Sequence, residues 1–538
     1  MAKGYRPVDR DQGFLLPPDM REWLRDGDPV WVVIEAVRML DTSAFHARRR
    51  TGGAGAAGYD PDMMLTLLVW AYANGITSSR RIQRLCEHDV AFRVICAGHL
   101  PDHATIARFR QQFAGTAASL FAQVLLLCAR LGMGKAGTVA IDGTKIGANA
   151  SKEANRTEEG LRKIAADLAA RHAACDEQED ALFGEGRRGD DDPGDPFTRA
   201  ERVAAALAGL QAEREAREAA ERAAARERLD AARAGAPVTG KRPAAAEVAL
   251  AEEKVARETA AYQAKCQARD EAVAAGRRRA SGTQPVPAAE YCRVREARGE
   301  LERARARAAA RDAAGAPGPK GEAGKKKEPA RRNVTDPASR LMPVRGGGFI
   351  QGWNPQNVTS EDGLVIATRL TSTPGDVQWY DAMISDAVAA AAAMAAAGGP
   401  GDGAIGLVLA DAGYLSAGNL TLPGPDRLIA TGRRRALEKA ARAAAQRAGE
   451  TGQEDAPPIA AMAARLATEG GIAAYRRRGH IGETFHGDLK HNMGIRRLSV
   501  RGAARASGEW TFATAVRNLR KAITSGHLTT ASLAALAG

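Results

Sequence analysis

The sequence predicts an α/β protein: a mixed sheet flanked by helices, split by a large charged helical insertion and preceded by an all-α region. Three observations carry this prediction. Short β-branched and aliphatic runs, TVAID at 138–142, VIATRL at 365–370 and IGLVLA at 405–410, have the length and composition of strands. Apolar residues at helical spacing fill the chain up to about 137. Between 151 and 330 the composition turns to Ala, Glu and Arg with few aromatics, as in long solvated helices.

Residues 1–136 are expected to form a helical domain. PDMMLTLLVWAYANG (61–75) is apolar at helical spacing. Asp102 is a natural N-cap for a helix carrying Ile106, Phe109 and Phe113, and FAQVLLLCARLG (121–132) is a further buried helix. Arg80, Arg81 and Arg84 form a basic face, either a solvated surface or a phosphate contact. Residues 137–150 supply the first strand. In the insertion, 151–332, Lys and Arg nearly balance Asp and Glu, and Gly- and Pro-rich stretches suggest partial disorder. Residues 333–525 complete the core. FIQGWNPQNVTS and LVIATRL are two strands joined by a Glu361-Asp362-Gly363 turn. VQWYDAMISDAVAAAAAMAAA is a helix stopped by Gly398-Gly399-Pro400, IGLVLADAGY a buried strand, and RLIATGR (427–433) another. Residues 526–538 form a tail.

The chain has 538 residues, a formal charge of +13 and a pI near 9.6. Since the insertion is nearly neutral, most of the excess lies elsewhere, much of it in the basic stretch 471–521. This balance favours an acidic partner, nucleic acid before membrane surface. No run of about 18 apolar residues is present, so no membrane span is expected. The N-terminus shows no secretory signal. Six scattered cysteines without a CxxC pair read as reduced thiols.

Three acidic residues stand in distinctive settings. Asp142 ends a strand in TVAIDGTKIGANAS, Asp411 ends one in IGLVLADAGYLS, and Glu483 lies in the basic helical stretch YRRRGHIGETFHGDLKHNMGIRRL. Singly, each has an ordinary explanation as a turn, cap or surface residue. Together, two strand-end carboxylates and one on a late helix can hold a pair of Mg²⁺ ions, which take hard oxygen ligands and complete their shells with water and phosphate.

The element order, a three-strand meander followed by alternating strands and helices, is the RNase H-like pattern. At this level the chain resembles the DDE transposases of bacterial insertion sequences, in particular the group named IS eleven-eighty-two. YDPDMMLTLLVWAYANG…DHATIARFR, VAIDGTKIGANASK, TDPASRLM…GGFIQGWNPQNV and LADAGY carry that resemblance in order. Tyr475-x2-Arg478-x4-Glu483-x6-Lys490 is similar to the superfamily's Tyr, Arg, Glu, Lys signature, with an Arg–Glu gap one residue longer than usual. The resemblance implies that Asp142, Asp411 and Glu483 are catalytic and bind two Mg²⁺ ions, with Mn²⁺ as a substitute. It implies that residues 1–136 serve DNA binding or assembly, and that Lys490 and Arg478 contact DNA. Thr144 and Lys145 would line the site, with Arg496, Arg497 and Arg501 as further DNA contacts. The implied activity is Mg²⁺-dependent phosphodiester hydrolysis and transesterification on double-stranded DNA, at terminal inverted repeats and target. The protein would act as a homodimer or higher assembly in a bacterial cytoplasm, at the nucleoid.

Competing constellations are weak. GxSxG and Walker A motifs are absent, and His480, His486 and His491 lack HExxH spacing, so they read as polar or phosphate-facing residues. Trp353, Trp379 and Trp510 read as core anchors. A non-catalytic DNA-binding scaffold and an RNase H-like nuclease without strand transfer remain as alternatives.

Overall fold

The computed structural model describes residues 19–47, 58–183, 199–234, 246–275, 286–313, 330–344, 346–432 and 458–537. It divides into two compact units, one of Met1–Asn155 with Thr335–Gly538, the other Arg156–Val334.

Nine strands are described: β1 (Thr138–Gly143), β2 (Ile146–Gly147), β3 (Asn155–Thr157), β4 (Arg331–Asn333), β5 (Arg340–Pro343), β6 (Phe349–Ser360), β7 (Val365–Thr371), β8 (Leu407–Ala410) and β9 (Asp426–Ile429). Seven of them form one mixed sheet. Its centre runs β7-β6-β1-β8-β9, antiparallel from β7 to β1 and parallel from β1 to β9. The Glu361-Asp362-Gly363 turn between β6 and β7 puts Gly363 at φ +84°, the left-handed region in which glycine carries no Cβ penalty. The expected strand over 137–150 is instead two, because the chain turns after Gly143 and Ile146 pairs with Trp353 far down β6. β6 is long enough to serve β1 and β7 with one half and β2 and β5 with the other.

The N-terminal helices share a single core with this sheet. Asp102 caps its helix, accepting from Ala104 N at 2.8 Å and Thr105 N at 2.9 Å. The next helix starts earlier than the sequence suggested, at Phe113, and runs to Arg130. It is the one described helix apolar and long enough to cross a membrane, and it packs along the helix Ala503–Thr524. There Phe113 stacks on Phe512 with ring centroids 4.0 Å apart, and Tyr72 donates its hydroxyl to buried Glu509 at 2.6 Å. Trp353 and Trp510 are buried in this core, and half-buried Trp379 packs against it. Cys86 and Cys96 are buried and free, their sulfurs 3.7 Å apart.

The second unit holds the paired strands β3 and β4 and the helices Glu158–Phe183, Arg199–Arg233, Glu247–Ala274 and Cys292–Ala313. Its apolar clusters are small, one around Leu161, Val203, Ala206 and Leu210, the other around Ala225, Ala246 and Leu250. Charge pairs link the helices, among them Arg233–Glu253 at 2.8 Å and Lys254–Glu300 at 2.9 Å. The Gly- and Pro-rich parts of the insertion lie outside the described residues.

Candidate active site

Asp142 and Asp411 leave the sheet side by side. β1 and β8 run parallel with Ile141 opposite Ala410, so the next residue of each emerges at the same edge, on backbones about 4.8 Å apart. The preceding residues, Val139 to Ile141 and Val408 to Ala410, are apolar and buried, which fixes this register. Carboxyl ends of parallel strands are where open α/β sheets bind ligands. Asp411 also caps the following turn, accepting from Gly413 N at 2.8 Å.

Glu483 arrives on a helix that changes period twice. Glu469–Arg478 and Thr484–Gly487 are α-helical, whereas Gly479–Glu483 and Asp488–Asn492 are π-helical. On an α-helix, side chains five apart point about 140° away from each other. A π turn takes an extra residue and is frequent at functional sites. Across this one, Arg478 Nη2 donates to Glu483 Oε1 at 3.1 Å. The long Arg–Glu gap of the sequence is thus absorbed, and Arg478 faces the site. The stretch is held to the sheet by buried Ile481, Phe485 and Leu489 at four-residue spacing. Tyr475 donates to the Ala410 carbonyl at 3.1 Å, and Arg477 to Thr138 Oγ1 at 3.1 Å. Gly482 backs onto Asp142: a Cβ there would lie 3.5 Å from that of Asp142.

The electrostatics follow from this packing. Burial pushes the Asp142 carboxyl up to about 7; Arg478 pulls it back, while Asp411 and Glu483 push it further up. Asp411 is also raised by burial, against the Gly413 amide and Arg478. Arg478 Nη1 lies 3.9 Å from Asp142 Oδ1, so one guanidinium faces Asp142 and Glu483 together. Glu483 is the most exposed of the three, its side chain 61% accessible against 14% for Asp142.

Lys490 does not meet Glu483 on a common α-helical face, because the second π turn intervenes. Its ammonium donates to Thr144 Oγ1 and, at 2.9 Å, to the Lys145 carbonyl. Burial lowers its pKa, with Arg496 and Lys145 adding and Asp142 opposing. Thr144, Lys145 and Lys490 therefore form one wall beside Asp142. Arg496, Arg497 and Arg501 are exposed on the segment that follows, which runs beside β2 through the Gly147–Arg497 bridge. Arg80, Arg81 and Arg84 are likewise exposed.

His480 and His491 are exposed, as expected of polar helix residues. His486 is not. It is packed inside with Nε2 3.5 Å from Asp142 Oδ2, and burial, reinforced by Lys490, Arg517 and Arg478, pushes its pKa down to about 3. The sequence also passed over Asp376, at the end of the loop after β7. Its Oδ1 accepts from Asn354 Nδ2 and Gln356 Nε2, each at 2.7 Å. The only sequence signal was a TPGD turn.

Among the described residues no three His, Cys, Asp or Glu side chains converge as a ready-made ion site, and Arg478 stands between Asp142 and Glu483. The donors still suit a hard divalent cation. They are carboxylate oxygens, and Asp142, disfavoured as an anion by burial and acidic neighbours, is a group that a cation would stabilise.

Residues 19–112 match the family described as Transposase domain (DUF772), and residues 438–523 match the family described as Transposase DDE domain. The first segment contains Arg80, Arg81 and Arg84; the second contains Arg478, Glu483 and Lys490. No curated protein and no solved structure matches the chain. The two matched segments support an insertion-sequence transposase with a DDE domain, an enzyme that cleaves nucleic acid.

Proposed function

We propose that the chain is a DDE transposase of the IS eleven-eighty-two group with an RNase H-like core. It binds the terminal inverted repeats of its element, cleaves the phosphodiester at each end and joins the freed 3′-hydroxyl to target DNA. One observation carries this reading: Asp142 and Asp411 emerge together from adjacent parallel strands, and the helix bearing Glu483 is tied to both strands. The strand order β7-β6-β1-β8-β9, antiparallel then parallel, supports the RNase H-like assignment.

Asp142, Asp411 and Glu483 would hold two Mg²⁺ ions. When bound, such ions lower the pKa of an attacking hydroxyl and neutralise the leaving oxygen. The chain's own residues do the rest. Arg478, whose guanidinium faces Asp142 and Glu483, would contact the DNA phosphate at the site. Lys490, fixed by Thr144, presents an ammonium next to Asp142. Arg496, Arg497 and Arg501 contact flanking phosphates, and in the N-terminal region Arg80, Arg81 and Arg84 do the same. Joining two ends requires a dimer or a larger assembly.

The test is incubation with duplexes carrying the element's own ends, a target plasmid and Mg²⁺. Cleaved ends and joined products are expected. Cleavage without joining would identify a nuclease, and binding without cleavage a scaffold.

A further inference from the structure

Both strand-end aspartates are followed by a glycine, in the DG of residues 142–143 and the DAG of 411–413. The reason lies between them. A Cβ on Gly143 would sit 2.9 Å from Asp376 Oδ1 and 2.6 Å from Gln356 Nε2. A Cβ on Gly413 would sit 3.0 Å from Asp376 Oδ2 and 2.9 Å from Asp411 Oδ1. The Asp376 carboxylate is therefore wedged between the two strand ends, where a Cβ on either glycine would force it or its partners to shift.

It is held there by design of the sheet. Asn354 and Gln356 are two apart on β6, fully buried, and each donates an amide hydrogen to Asp376 Oδ1 at 2.7 Å. Gln356 is oriented in turn by the Tyr414 hydroxyl, which donates to its Oε1. On its open side Asp376 faces Lys145, whose ammonium lies 3.9 Å from Oδ1 and donates to the Pro374 carbonyl at 2.7 Å. Both side chains are about four-fifths buried, at 21% and 22% exposure. Anchoring the loop needs hydrogen-bond acceptors, which an asparagine also supplies. Lys145 is thus held twice, by the Pro374 carbonyl and by the Asp376 charge, and an asparagine at 376 would remove only the second.

We propose that Asp376 is a positioning residue of the active site: through its charge it holds Lys145 at the rim between Asp142 and Asp411, where the lysine meets the scissile strand's phosphate. This rests on the transposase reading, and the test separates the two. Asp376→Asn, Lys145→Met and the double variant are compared in Mg²⁺-dependent cleavage of duplexes carrying the element's ends. Asp142→Ala is run alongside, and duplex binding is measured without divalent ion.

Asp376→Asn should lower kcat about tenfold or more while leaving KM, duplex binding and melting temperature nearly unchanged, as for lost positioning. In the Lys145→Met background the same change should cost nothing further, because the two residues act as one unit. Wild-type cleavage by Asp376→Asn, or losses that simply multiply in the double variant, would overturn the proposal. Should Asp376→Asn fail to fold, Lys145→Met decides alone: an unchanged kcat overturns the proposal, and a lowered kcat with unchanged binding supports it. If the unsubstituted protein binds the duplexes without cleaving them, the transposase reading itself fails; if Asp142→Ala cleaves, Asp142 drops out of the site. If it is dead while Asp376→Asn is fully active, only the role of Asp376 is lost.

Discussion

Asp142→Asn, Asp411→Asn and Glu483→Gln should each reduce end cleavage by about 10³-fold or more, the effect of losing several kcal/mol of charge stabilisation in the transition state. Each amide keeps the shape of the side chain it replaces and removes the charge that would hold a cation. Asp142 should be more sensitive than Glu483, since it is the more deeply buried of the two carboxylates that face Arg478. Binding to the repeats should survive in all three, because the cationic surface of Arg496, Arg497 and Arg501 is left intact. A further sign separates this from unfolding. Asp142 is a carboxylate whose ionised form is opposed by burial, so its amide should not lower the melting temperature of the metal-free protein. Gel-resolved cleavage and melting curves on the same preparations check both halves. Full Mg²⁺-dependent cutting by any one variant would remove that residue from the site.

Gly508→Ala should destabilise the protein by about 3 kcal/mol or more, the upper range for overpacking a dense core. Gly508 is where the helix Ala503–Thr524 touches the start of Phe113–Arg130. An added Cβ would fall 2.5 Å from the carbonyl carbon and oxygen of Phe113 and 2.7 Å from Ala114 N. These are backbone atoms, so no rotamer change relieves the clash and the two helices must part. Parting them disturbs the Phe113–Phe512 stack and the Tyr72–Glu509 bond. It also reaches the site, because the neighbouring Trp510 donates to Thr368 on β7 at 2.8 Å and packs edge-on against Phe485 of the Glu483-bearing helix. Urea unfolding provides the measurement. A midpoint equal to that of the unsubstituted protein would mean that this helix pair has room that the geometry denies.

The parts of this architecture that were legible in the sequence are those governed by local pattern. Ile141 and Ala410 end apolar runs too short for helices, so Asp142 and Asp411 could be assigned to strand ends before any pairing was known. The Glu361-Asp362-Gly363 turn announced the β6–β7 hairpin by its composition. What escaped depends on contacts distant in sequence. The bond between Tyr72 and Glu509 joins residues 437 apart, so nothing local reveals that the N-terminal helices share the sheet's core. β2 and β3 are too short to show a period. The place of Arg478 could not be read from an α-helical template, because a π turn was needed to bring it to Glu483. His486 and Asp376 are polar residues whose burial is imposed by neighbouring elements, against what their types suggest.

The most direct test of the central claim is the anomalous difference density of crystals soaked in Mn²⁺. Density shared by the Asp142 and Asp411 carboxylates, with Arg478 displaced from Asp142, is the result expected. Mn²⁺ bound elsewhere, with Arg478 still between Asp142 and Glu483, would contradict the claim that these carboxylates form one divalent-cation site.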